Sequence, residues 1–134
     1  MDRIRASFEQ QEFMGTLGAE LISWETGLAR IACDVTQALR QQHGYAHAGV
    51  LASIADSACG YAALSTMPEG SEVVSVEFKI TLMRTCTAGR IIAEGKVLKT
   101  GRTLVFCEGT VTDVEGSETY ATMTATMFCL KPGG

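Results

Sequence analysis

Residues 41–64 read QQHGYAHAGVLASIADSACGYAAL. A polar, glycine-bearing loop runs into a segment that is apolar on nearly every face of a helix and is broken at one point, by Asp56. A carboxylate inside such a segment is costly to bury unless it is paired or hydrogen-bonded, so it marks a candidate functional group. Helical spacing puts Val50, Ile54, Ala58 and Tyr61, with Leu51 beside them, on one stripe suited to packing on a sheet. Two residues turn a helix by about 200°, so Asp56 lies opposite Ile54 among Gly49, Ala52, Ser53, Cys59, Gly60 and Ala63. Side chains this small admit a neighbouring backbone or a slim ligand down to the carboxylate.

The flanks supply a sheet for that helix. Ahead of it, 2–13 reads as an amphipathic helix in which Ile4, Phe8 and Met14 share a face, ended by Gly15 and Gly18. Two short β-prone runs follow, 19–24 and 28–35, joined by Glu25-Thr26-Gly27, and then a polar loop over 37–46. Pro68, Glu69 and Gly70 stop the central helix, placed at 48–65. Beyond it Val74, Val76, Phe78, Ile80 and Leu82 alternate with Ser75, Glu77, Lys79 and Thr81, the period of a half-buried strand. Strands at 90–98 and 102–111 meet at Lys99-Thr100-Gly101, and a last strand spans 118–130. The order predicts an α+β domain over 1–134, with a helical segment within 1–14 and an antiparallel sheet around one buried helix.

Composition narrows the partners. The 134 residues suit one core, and 46% hydrophobic against 19% charged residues leaves an apolar surplus that predicts burial between copies of the chain. A formal charge of −4, a pI near 5.1 and the lack of any basic stripe argue against nucleic acid or an anionic membrane as partner. Cys33, Cys59, Cys86, Cys107 and Cys129 are widely spaced, odd in number and without a C-x-x-C pair, the pattern of reduced thiols in a cytoplasmic protein. The first residues lack the apolar core of a signal peptide, and the 48–64 run is short and holds Asp56, so neither export nor a membrane span is expected. His43 and His47 stand four apart, but Gly44 breaks helical geometry and no third ligand is near in sequence, so no metal is expected.

The start of the helix offers chemistry complementary to the acid. First-turn N–H groups lack intrahelical acceptors and favour negative charge, including the oxyanion formed when a thioester carbonyl is attacked. Ala48 and Gly49 are the natural donors. Eight residues separate Ala48 from Asp56, about 12 Å along one helix, so one chain cannot bring both to one carbonyl. Two antiparallel copies packed on their small-residue faces could, which predicts a site shared between subunits.

The segment Gln41-Gln42-His43-Gly44-Tyr45-Ala46-His47-Ala48-Gly49, with Asp56 nine residues after His47, resembles the signature of the hotdog-fold acyl-CoA thioesterases of the phenylacetate-pathway (PaaI-like) type. The likeness covers roughly 20–130. It implies that Asp56 acts as general base on water or as nucleophile, that Gln41 of the opposing subunit positions water or substrate, that His47 orients the thioester and that the amide of Ala48 holds the oxyanion. Ser75 matches a position whose hydroxyl helps place the attacking water. Lys99-Thr100-Gly101-Arg102-Thr103 resembles the hairpin that meets coenzyme A phosphates, with Lys99, Arg102 and Thr103 as the contacts and Arg84 as a further cation for them. The resemblance implies no cofactor beyond the coenzyme A of the acyl-CoA substrate, and a homodimer or a homotetrameric dimer of dimers. Two departures stand out: Ala48 replaces the first glycine of the family's His-Gly-Gly and adds a methyl group, and a relative that also uses Gln carries Glu and a later Ser where this chain has Asp56 and Gly60. Other readings stay open at this point: Asp56 as a structural partner of Arg84 or Arg102, Lys99 and Arg102 as solvated charges, and the domain as a non-catalytic acyl-CoA or acyl-carrier binding module.

Overall fold

Two short helices, α1 (Arg3–Gln10) and α2 (Glu12–Leu17), open this computed structural model, which describes residues 2–131. The single helix expected over 2–13 is broken at Gln11, whose extended backbone (φ −83°, ψ 94°) restarts the chain in a new direction. Gly18, at φ 72°, closes α2, whereas Gly15 lies inside it. Ile4, Phe8 and Met14 all reach the core. The Arg3 guanidinium donates to the carbonyls of Leu64, Met67 and Pro68 at 3.0, 2.6 and 2.9 Å. A cation there meets carbonyls at and just beyond the C-terminal end of the central helix and ties the N-terminal segment to it.

The remaining elements are β1 (Ala19–Glu25), β2 (Leu28–Asp34), a 3-10 turn (Gln37–Leu39), the central helix α3 (Ala48–Leu64), β3 (Glu72–Leu82), β4 (Arg90–Thr100), β5 (Leu104–Asp113) and β6 (Thr119–Leu130). All six strands join in one antiparallel sheet in the order β1-β2-β4-β5-β6-β3, with α3 packed on one face. This is the hotdog architecture. Alternation decides which residues meet the helix: Ile91 and Ala93 of β4, Val105, Cys107 and Val111 of β5, and Met123, Ala125 and Met127 of β6 are all buried there. Among the described residues no helix is long and apolar enough to cross a membrane.

The sheet holds α3 closest at a glycine pair. Gly95 of β4 and Gly109 of β5 are cross-strand partners. A Cβ at Gly95 would lie 2.4 Å from the Ala58 carbonyl and the Cys59 nitrogen, and one at Gly109 would lie 3.1 Å from the Cys59 sulfur. The helix backbone thus runs through a notch that only glycine leaves open. Wrapping extends further round α3 than one stripe: Cys59 and Ala63, expected on the open face, are fully buried. The face left open carries Ala52, Ser53, Asp56, Ser57 and Gly60.

Strand β3 is an edge and pairs only with β6. Strict alternation would have put Ser75 on the polar face with Glu77 and Lys79. Instead a β-bulge at Val76 shifts the register, so that Ser75 opposite Met127 and Phe78 opposite Ala125 both point to the helix side. Gly95→Ala tests the notch: it should lower the midpoint of urea unfolding by an amount corresponding to about 3 kcal/mol with an unchanged m-value, since the methyl meets backbone that cannot rotate away. A stability within 0.5 kcal/mol or so of wild type would show that the contact is slack.

Candidate active site

Asp56 lies half-buried at the wall of a cavity of about 210 Å³ bounded by α1, α3 and the start of β3. Its position follows from the notch, which fixes the rotation of α3. The Ser75 hydroxyl, turned inward by the bulge, donates to Asp56 Oδ1 at 2.6 Å, with Met127 Sδ 3.4 Å from the same hydroxyl. Burial raises the Asp56 carboxyl above its usual value of 3.8, and the Ser75 hydrogen bond works against that rise by favouring the carboxylate. The result is a carboxylate more basic than an exposed aspartate, with Oδ2 unpaired among the described residues. Neither Arg84 nor Arg102 pairs with it: Arg84 Nη1 lies 3.2 Å from Glu118 Oε2.

The loop before α3 is organised around Gln41. Its Oε1 accepts from the N–H groups of His43 and Tyr45 at 2.6 and 3.1 Å, and its own N–H donates to the Tyr45 carbonyl at 2.8 Å. Gly44 at φ 88° allows the tight return, and Arg40 braces it by donating to the carbonyls of Gly44 and Val35 at 2.8 and 2.9 Å. With its oxygen engaged in the loop, Gln41 keeps its amide N–H groups for a second cavity, of about 550 Å³, lined also by His47, Ala48, Leu82, Met83 and Arg84.

His47 is the N-cap of α3, its Nδ1 accepting from the Gly49 N–H at 2.8 Å. Acceptance at Nδ1 requires the tautomer with its proton on Nε2, which leaves that N–H as a donor. A Cβ at Gly49 would lie 3.0 Å from the same nitrogen, so a side chain there would crowd the cap. Of the two donors expected at the helix start, Gly49 is therefore engaged by His47, and the Val50 N–H bonds to the His47 carbonyl at 2.9 Å. The exposed Ala48 N–H remains without a partner among the described residues.

One chain does not unite these parts. Asp56 and Ser75 line the smaller cavity, while Gln41, His47, Ala48 and Arg84 line the larger. The hairpin with Lys99, Arg102 and Thr103 lies at the opposite end of β6 from Arg84: the Thr103 carbonyl accepts from Cys129, whereas the Arg84 N–H donates to Tyr120. Phe128 points to the face of the sheet away from α3, beside Val74. Cys59 is no nucleophile, because burial first and the neighbouring Cys107, Asp56 and Glu108 after it raise its thiol far above the ordinary range; burial alone pushes Cys107 to about 12. Among the described residues no three His, Cys, Asp or Glu side chains gather as a metal set.

Sequence reasoning missed a polar cluster beside Asp56. Ser7 and Gln11 from α1 and the following turn meet Ser57 and Tyr61 of α3. The signal was present as two polar pairs, Ser7 with Gln11 and Ser57 with Tyr61, each spaced four residues apart.

Comparison with known proteins points the same way. Residues 43–120 match the thioesterase superfamily. A 1,4-dihydroxy-2-naphthoyl-CoA hydrolase of Listeria monocytogenes is 28% identical over 98 residues, 73% of this chain and 80% of that protein. A thioesterase family protein from Silicibacter pomeroyi superposes with a TM-score of 0.92 at 39% identity, covering 96% of both chains. The PaaI protein from the phenylacetic acid degradation operon of E. coli superposes with a TM-score of 0.84 at 26% identity, over 92% of this chain and 87% of that one.

The Asp56 environment has a pH signature. A carboxyl whose folded pKa is raised contributes stability below its unfolded pKa and loses it as pH rises through the folded value. Asp56→Asn should therefore gain stability relative to wild type as pH rises through that range. Ser75→Ala, lacking the hydrogen bond that favours the carboxylate, should move the Asp56 titration to higher pH, read by carboxyl-carbon NMR. A downward or absent shift would refute the assignment of the bond to the charged form.

Proposed function

The chain belongs to the thioesterase superfamily, and we propose that it hydrolyses an acyl-CoA to the free acid and coenzyme A at a site formed by two copies of the chain. The observation that carries this reading is the half-buried Asp56, held by Ser75 on a bulge and facing an uncovered sheet edge. Asp56 takes a proton from water as the water oxygen bonds to the thioester carbonyl carbon. The oxyanion forms against the Ala48 N–H of the second copy, whose Gln41 amide and His47 Nε2–H hold the water and the thioester. The carbon–sulfur bond then breaks and the thiolate of coenzyme A takes up a proton. Water, a base and an oxyanion donor suffice for this reaction, so it calls for no resident metal or redox group.

The edge strand supports the two-copy reading. On and beside β3, Val76 and Met83 are 55% and 58% exposed, with Val74, Phe78 and Leu82 exposed as well. An unpaired edge with this much apolar surface is a template for a further strand. Antiparallel pairing with the β3 of a second copy sets the beginning of one strand beside the end of the other. That brings Asp56 and the Lys99, Arg102 and Thr103 hairpin of one copy toward the larger cavity of the other, where the basic hairpin and Arg84 can meet the phosphates of coenzyme A. A second exposed apolar area, with Leu98 of β4 and Phe106 of β5, supports a dimer of dimers. The five free cysteines support a cytoplasmic setting.

Subunit mixing tests the shared site. Asp56→Asn should lower kcat by about 10³-fold, a loss of the size general base catalysis supplies, and Gln41→Ala should also lower it. After exchange of subunits, a 1:1 mixture should recover up to about a quarter of wild-type activity, because half the dimers are mixed and each holds one intact site of two. Exchanged subunits with no recovery would place each site within one chain.

A further inference from the structure

The smaller cavity continues past Asp56 into a region that the hydrolytic step does not use. Along α3 the wall runs from Asp56 through Ser57 and Gly60 to Tyr61. Gly60 leaves open space beside it, with no atom within 4 Å of where a Cβ would stand. Tyr61 follows Asp56 by five residues, about 7.5 Å of helix rise, a span that a chain of around six carbon atoms covers. At about 210 Å³ the space is smaller than the roughly 300–1,000 Å³ usual for drug-sized ligands, so it suits a short acyl group.

The far end of this space is polar, and its hydrogen bonds do not close. Tyr61 Oη receives Gln11 Nε2 at 3.0 Å and meets Ser7 Oγ at 3.3 Å, while Ser57 Oγ donates to Gln11 Oε1 at 3.3 Å. The ring of Tyr61 is held edge-on to Phe8, with centroids 5.9 Å apart. Whichever of Ser7 and Tyr61 donates to the other, one hydroxyl proton is left without an acceptor among the described residues. Gln11 has a second N–H in the same state. The cluster therefore presents donors toward the cavity. Charge sets a further condition, because Asp56 and Glu72 both border the space and would repel an anion.

Resting on the thioesterase reading above, we propose that Tyr61 and Gln11 select a short acyl group that carries an uncharged oxygen, hydroxyl or keto, at its end remote from the thioester. The oxygen accepts from the unpaired hydroxyl and amide protons, while Val73 and Met127 cover the intervening carbons. Such a site discriminates against an acyl chain lacking the oxygen, since that chain covers the donors without pairing them. It discriminates against a terminal carboxylate through Glu72 and Asp56.

Three acyl-CoAs of one length test this: hexanoyl-CoA, 6-hydroxyhexanoyl-CoA and adipyl-CoA. The expected order of kcat/KM is 6-hydroxyhexanoyl above hexanoyl by ~10-fold, the worth of one well-made hydrogen bond, with adipyl lowest. Tyr61→Phe keeps the ring against Phe8 and should bring the hydroxyhexanoyl-to-hexanoyl ratio toward 1, as should Gln11→Leu. Equal kcat/KM for the first two substrates in wild type overturns the proposal, and so does a Tyr61→Phe protein that slows both by the same factor. Calorimetric binding of the same three thioesters to Asp56→Asn protein reads the pocket apart from turnover. Where wild type cleaves none of the three, the calorimetric order decides the pocket, with tighter binding of 6-hydroxyhexanoyl-CoA supporting the selection and equal affinities overturning it. Thiol release from other acyl-CoAs tests the thioesterase reading separately.

Discussion

The close approach of α3 to the sheet at Gly95 and Gly109 is the constraint on which the rest depends. A helix can rotate about its axis on a flat apolar surface at little cost, but not with its Ala58–Cys59 backbone lodged where any Cβ on Gly95 would lie 2.4 Å away. The notch fixes the rotation, and the rotation decides that Asp56 faces outward while Cys59, three residues on, is sealed against β5. The same fit makes the thiol inert and keeps the carboxylate reachable. Apolar packing alone would hold the helix, but it would not specify which way its one acid points.

Much of this was legible in the chain. The loop and helix over 41–64, the sheet strands and the distance from Ala48 to Asp56 all follow from periodicity and helical arithmetic. The rotation of α3 did not, because a stripe analysis treats the partner surface as flat. This sheet curls far enough to bury Ala63 and Cys59 as well. The bulge at Val76 was equally hidden. Nothing in Val74-Ser75-Val76-Glu77 departs from plain alternation, yet one extra residue moves Ser75 from the solvent side to 2.6 Å from Asp56. Alternation reports the average pleat, whereas a bulge arises from pairing with β6, which is non-local.

The loop illustrates a finer limit. Residue types at 41, 47 and 48 marked the region as a candidate site, but which of their groups are engaged and which are left over depended on hydrogen bonds that no spacing reveals. Gln41 gives its oxygen to the loop and so is left with donors only. His47 caps the helix through Nδ1, occupying the Gly49 N–H and leaving Ala48 as the free amide. The methyl group of Ala48 leaves that amide in place, while a methyl group at Gly49 would crowd the capping nitrogen. That asymmetry gives a physical reason why this chain accommodates alanine at 48 beside glycine at 49.

The separation of the two cavities then acquires a cause. An oxyanion donor must be a first-turn amide, because amides further along α3 are bonded within the helix. The acid must sit where the sheet's curl leaves the helix uncovered, two turns later. No side chain bridges about 12 Å, so a site assembled from one helix needs a second helix antiparallel to it. The exposed β3 edge, which would be a liability in a monomer, lies beside the uncovered face of α3 and is the surface through which such a pair would form. In the proposed dimer the strand that carries Ser75 to Asp56 is also the strand that joins the copies. Base alignment and subunit association are thereby placed on one element.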